Sequence, residues 1–147
     1  MSRFVRPDTT VLHISDGDTL TIKTRLNAGE QREAYARMYR AGIDGLRVNP
    51  LQTGLALITA YLVDWSLRDD DGVTVPIRGL SVGDLEDVLN GLDPESFTEI
   101  KVAIETHEEA ARAAREEEKK RRAGLTDDAA TSTSPSAAAG VLIGSAA

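Results

Sequence analysis

The residues that could do chemistry are few, and their spacing limits what they can do. Asp16-Gly17-Asp18 and Asp69-Asp70-Asp71-Gly72 gather carboxylates of the kind that hold a hard cation. Neither run has the ligand positions of a calcium loop, and no glutamate stands at the closing position. Gly beside Asp is also what a tight turn needs, and turn chemistry accounts for both runs. His13 and His107 are the only histidines. A metal centre or a catalytic base needs partners that the sequence does not mark. Ser15, Ser66 and Ser81 lack the glycine-flanked elbow of a hydrolase nucleophile. There is no phosphate-cradling glycine loop and no dinucleotide fingerprint. The chain has no cysteine, which removes disulfides, thiolate metal sites and thiol nucleophiles together. The expectation is a binding protein, not an enzyme, with no catalytic residue, cofactor or metal.

Charge narrows the partners. The formal net charge is -7 over 147 residues, which disfavours phosphate backbones and acidic membrane surfaces. The basic run Lys119-Lys120-Arg121-Arg122 is expected to be a solvated helix end rather than a nucleic-acid site. Met1 to Asp8 is charged and lacks an apolar run, so no signal peptide is expected. No apolar stretch approaches the roughly 20 residues that cross a bilayer. These features predict a soluble intracellular protein with no nucleic acid and no membrane among its partners. Aromatic residues make up only 4%, so the core must rest on Leu, Ile, Val and Ala.

Thr10 to Ser15 and Thr19 to Leu26 predict two strands. In the second, Leu20, Ile22 and Leu26 alternate with Thr21, Lys23 and Arg25, the period of a half-buried strand. Asp16-Gly17-Asp18 between them suits a hairpin turn. Asn27 and Glu30 have the spacing of a capping box. They open a helix with Tyr35, Met38, Tyr39 and Gly42 at helical spacing, ended by Gly42 or Gly45. Leu55 to Leu67 fits a strand through Leu55, Leu57, Tyr61, Val63, Trp65 and Leu67. It also fits a helix through Leu51, Leu55, Ile58, Leu62 and Trp65. The β-favouring residues from Tyr61 onward favour a long strand, with a helical start over residues 51–60 left open. A turn at Asp69 to Gly72 leads to a returning strand, Val73 to Ile77, which Pro76 confines to an edge. Ser81 opens a short helix with Leu85, Val88 and Leu89 inward, ended by Gly91. Asp93-Pro94 opens the last helix.

Phe97, Ile100, Ile104, His107, Ala111 and Ala114 repeat along that helix at spacings of three and four, the seam of a packed helix or short coiled coil. Glu116 to Arg122 is acidic first and basic last, the order that suits a helix dipole. From Ala123 onward Thr, Ser, Ala, Pro and Gly predict disorder. The predicted layout is an N-terminal arm (1–9), an α+β domain (10–115), a charged helix end (116–122) and a tail (123–147). The fold class is α+β, a small antiparallel sheet of two hairpins packed with three or more helices. Tyr35, Met38 and Tyr39, or the stripe of Phe97, Ile100, Ile104 and His107, are the candidate partner-binding residues. The stripe also serves as ordinary core if Phe97 to Ile104 cover the sheet. Self-association through it is open.

Ser15-Asp16-Gly17-Asp18, then Ile22-Lys23-Thr24-Arg25-Leu26-Asn27-Ala28-Gly29-Glu30, then Ala60-Tyr61-Leu62-Val63-Asp64-Trp65-Ser66-Leu67, then Asp71-Gly72 and a closing helix with a charged end follow in order. In this order and texture the chain resembles the tail assembly chaperones of long-tailed bacteriophages, from about Val11 to Arg122. The resemblance implies a protein that coats the long helical tape-measure protein while tail-tube subunits assemble around it. It implies location in the host cell cytoplasm and absence from the finished virion. The family often makes a longer form by ribosomal frameshifting, and it has no catalytic residues to carry over. A structural head–tail joining or tail component is the alternative, and a small intracellular enzyme or regulator the second.

Overall fold

The structure, a computed structural model, describes residues 2–42, 45–48 and 50–131. It divides into two compact units, Met1–Glu108 and Glu109–Ala147. The first unit is α+β, as the sequence predicts.

Strands β1 (Thr9–His13) and β2 (Thr19–Lys23) form the first hairpin, in register from Thr9↔Lys23 to His13↔Thr19. The turn between them needs two residues in the left-handed region. Asp16 (φ 59°) and Gly17 (φ 75°) supply them, the conformation that Gly and Asp tolerate best. A third strand, β5 (Leu62–Trp65), lies antiparallel on the other side of β2. Ser66 extends this pairing: its N–H donates to Thr19 O at 3.0 Å, and its hydroxyl receives Thr19 N–H at 2.8 Å. Leu20, Ile22, Leu62 and Trp65 face inward and are buried.

Helix α1 (Ala28–Met38) begins at the expected capping box. It ends earlier than its apolar spacing predicts. Tyr39–Gly42 leaves the helix as strand β3 and pairs with β4 (Gly45–Val48) in a separate two-stranded sheet. The helix therefore stops at Met38, and the expected stops Gly42 and Gly45 lie in β3 and β4 instead.

The segment expected as a long strand is mostly helix: α2 spans Pro50–Tyr61, and only the last four residues before Ser66 are strand. The physical reason is burial on every side. Leu55, Ala56, Leu57, Ile58, Ala60 and Tyr61 are all buried, and a helix enclosed all round shows no amphipathic period. Thr59, the one buried polar residue among those described, donates its hydroxyl to Ala56 O at 3.1 Å. At Gly54 a side chain would meet Lys101 and Phe97, so glycine lets α2 and the last helix approach closely.

The expected returning strand at Val73 to Ile77 is reduced to a single bridge, Arg68↔Thr74. Val75 N–H donates to Leu67 O at 2.9 Å, and Val75 O receives the Trp65 indole N–H at 2.9 Å. That indole bond occupies the carbonyl that a regular ladder would use, and Pro76 has no N–H to donate.

Helix α3 (Val82–Asn90) starts at Ser81, whose hydroxyl receives Asp84 N–H at 3.2 Å, and stops at Gly91. Leu85 and Leu89 are its buried face. Helix α4 (Pro94–Thr131) is capped by Asp93, which receives Ser96 N–H at 2.9 Å. Ile100 and Ile104 complete the core with Leu20, Ile22, Ile58 and Leu89. In the second unit α4 continues through residues 123–131, where composition predicts a tail. Ala123, Ala129 and Ala130 are strong helix formers, and propagation costs far less than nucleation. The rest of the expected tail, residues 132–147, lies outside the described residues.

Candidate functional site

Several of the residues that could have carried chemistry have structural tasks. Asp69 Oδ1 receives the N–H groups of Asp71 (2.9 Å) and Val73 (3.0 Å), which fixes the turn. Asp18 Oδ1 receives the Ser66 hydroxyl at 2.9 Å. Among the described residues, no group of three or more His, Cys, Asp or Glu is placed to hold a metal. Ser15 is bound to Glu99: its N–H reaches Oε2 at 3.1 Å and its hydroxyl reaches Oε1 at 2.9 Å. This pair of hydrogen bonds ties the β1–β2 turn to α4. The sequence draws notice to Ser15 but not to Glu99, nor to a pairing across 84 positions.

The two histidines are unlike. His13 is exposed at the end of β1. His107 Nε2 lies 2.9 Å from Thr24 O, so the Nε2–H tautomer donates there. Its ring meets Tyr61 edge-on, with centroids 6.3 Å apart at 79°. The Tyr61 hydroxyl donates to Glu108 Oε2 at 2.8 Å. His107 therefore clamps α4 to the end of β2.

The stripe on α4 thus divides. Ile100 and Ile104 are buried in the first unit's own core, and Phe97 packs against it half-buried. The isoleucines are core residues, not open contact surface. Among the described side chains of α4, the exposed large apolar residue is Val102, which no periodic signal singles out.

The remaining candidates lie together at the junction of α1 and β3. Helix α1 is fixed at its first turn. Asn27 Oδ1 receives Glu30 N–H at 2.8 Å, and Glu30 Oε1 receives Asn27 N–H at 3.0 Å. Glu30 Oε2 pairs with Lys23 on β2. Burial pushes the Glu30 carboxyl up, but the Asn27 N–H and the Lys23 ammonium outweigh it and hold it below the ordinary value. Ala34 is buried on the α2 side, and Met38 packs half-buried against the core. Tyr35 and Tyr39 then stand outward, 50% and 46% exposed. Gln31 Nε2 donates to the Tyr35 hydroxyl at 3.4 Å, and Gln31, Tyr35 and Tyr39 follow at a spacing of four, a row along α1 that ends on its C-cap.

Such a row offers apolar ring area with polar tips, a combination suited to contact with another protein. Among the described residues no helix is long and apolar enough to cross a membrane. Set against protein-family models, curated proteins and solved structures, the chain shows no match.

Proposed function

We propose that this protein is a tail assembly chaperone of a long-tailed bacteriophage, which binds the tape-measure protein and keeps it soluble until tail-tube subunits surround it. The observation that carries the reading is the exposed pair Tyr35 and Tyr39, on either side of half-buried Met38 where the capped helix α1 gives way to β3. A helical client lays an apolar stripe against such a row. Aromatic rings supply contact area at low entropic cost, and Met38 adapts to varied side chains. The net charge of -7 keeps a complex with an apolar client in solution. The protein works in the host cell cytoplasm and leaves before the particle is complete. The reading assigns no catalytic step.

Co-expression with a candidate tape-measure protein tests the proposal. The expected result is a raised soluble yield of that partner and a complex that purifies intact. Unchanged yield with no complex overturns it. Mass spectrometry of purified particles separates the alternative, because a structural tail or head–tail joining component would be present there in fixed copy number.

A further inference from the structure

The N-terminal arm bends where Asp8 N–H donates to Arg6 O at 2.8 Å, a three-residue turn around Pro7. Thr24 N–H then holds Asp8 O at 2.9 Å. The bend leaves a cleft of ≈ 270 Å³ between the arm and the corner where β2 leads into α1. Val5 and Pro7 line it from the arm. Val63 lines it from β5, at the register shift opposite Thr21 and Ile22. The bulge turns Val63 away from the core while Leu62 and Trp65 stay buried.

Three cations and two carboxylates line the same cleft: Arg6, Lys23, Arg25, Asp8 and Glu30. Lys23 and Glu30 satisfy each other. Among the described residues, Arg6 and Arg25 have no carboxylate partner, and Asp8 has no cation. The uncommitted groups therefore leave one net positive charge in a chain whose total is -7. The free N–H groups at the start of α1 do not supply it, since Asn27 and Glu30 occupy that cap.

We propose that this cleft binds an acidic peptide segment, with a carboxylate on the Arg6 and Arg25 guanidiniums and a neighbouring apolar side chain against Val5, Pro7 and Val63. Guanidinium forks match a planar carboxylate in two parallel hydrogen bonds. One surplus positive charge suits a singly charged carboxylate better than a phosphate. The volume holds a side chain and its neighbour rather than a large ligand. The cleft has neither Tyr35 nor Tyr39 in its lining, and the proposal does not rest on the chaperone reading.

Amide NMR titration of the full chain tests it. The probes are a short blocked peptide alternating glutamate and leucine, its glutamine counterpart, acetate alone, and a short single-stranded oligonucleotide. The glutamate peptide is expected to shift the signals of Val5, Arg6, Arg25 and Val63, and to bind more weakly as salt rises. The Arg6→Gln, Arg25→Gln double variant, with an unchanged melting temperature, is expected to weaken it at least about tenfold. Equal binding of the glutamine peptide, equal binding by the variant, or shifts elsewhere would overturn the proposal. Saturation by acetate with no gain from the peptide would overturn the apolar half of it. Tighter binding of the oligonucleotide would replace the peptide with a nucleic acid. No binding by any probe leaves the cleft without this function.

Discussion

Glu30 shows how much one side chain does when its two oxygens take different partners. One oxygen closes the cap of α1 on Asn27 N–H, and the other holds Lys23 on β2. The folded state therefore prefers the carboxylate, and the carboxyl titrates below its ordinary value of 4.5. A group depressed in this way contributes stability that is fully present above the unfolded value and is lost as pH falls through the folded one. Glu30→Gln separates the two roles. Its amide oxygen still accepts from Asn27 N–H, so the cap survives, while the ion pair goes. The expected loss at neutral pH is about 0.5 kcal/mol, as for a partly exposed pair. The expected gain is a flatter stability curve between pH 5 and 3, followed by urea denaturation at each pH; an unchanged acid slope refutes the assignment. Asn27→Ala removes a cap acceptor instead, and about 1 kcal/mol should be lost at every pH.

At the scale of elements, α4 serves two purposes along its length within the first unit. Its inward residues close the core, and its outward ones face water. Ile104→Ala should cost about 2–5 kcal/mol, because it empties a fully enclosed site. Val102→Ala, two residues away and half exposed, should stay within about 0.5 kcal/mol. Thermal denaturation of the two variants checks the contrast, and similar losses would mean that the helix faces are assigned wrongly. The helix starts at Asn27, Ser81 and Asp93 were legible in sequence because a cap is a local device, complete within four residues. The hairpin β1–β2 was legible for the same reason. Helix α2 was not, because its apolar residues meet the core on all sides and leave no polar face to set a phase. Strand β5 misleads by its bulge: Leu62 and Trp65 are three apart yet both buried, so a period of two puts Val63 and Trp65 on one side wrongly. Tyr35, Met38 and Tyr39 were legible as one cluster. That Tyr39 belongs to a strand, and that both rings face outward, depends on the β3–β4 pairing and on α2, neither of which the spacing reveals. The Ser15–Glu99 tie was invisible, since nothing local links positions so far apart.

For the whole molecule, the two units rest on different forces. The first has a core around Ile58, Ile100 and Trp65. In the second, the helix from Glu109 to Thr131 carries ion pairs between neighbouring turns, Arg112 with Glu109 at 3.0 Å, Lys119 with Glu116 at 3.8 Å and Arg122 with Glu118 at 2.6 Å. Exposed pairs of this kind contribute about 0.2–0.5 kcal/mol each and weaken with salt. A helix held by such pairs rather than by a packed apolar face depends on them for part of its stability. Raising sodium chloride from 20 mM to 1 M should therefore lower helicity measured by far-ultraviolet circular dichroism. The near-ultraviolet signal of Trp65, the only tryptophan, should hold, because its burial depends on apolar contacts that salt does not screen. Loss of both signals together would mean that the charged helix and the core unfold as one. Tyr35→Ser with Tyr39→Ser supplies the complementary case. Both rings are about half exposed, so the melting temperature should move by no more than a few degrees. Under the proposed function, recovery of a co-expressed tape-measure protein in the soluble fraction should nevertheless fall to the level seen without this protein. A double variant that still gives full recovery would show that the two rings are surface without that proposed task, whatever the function of the rest.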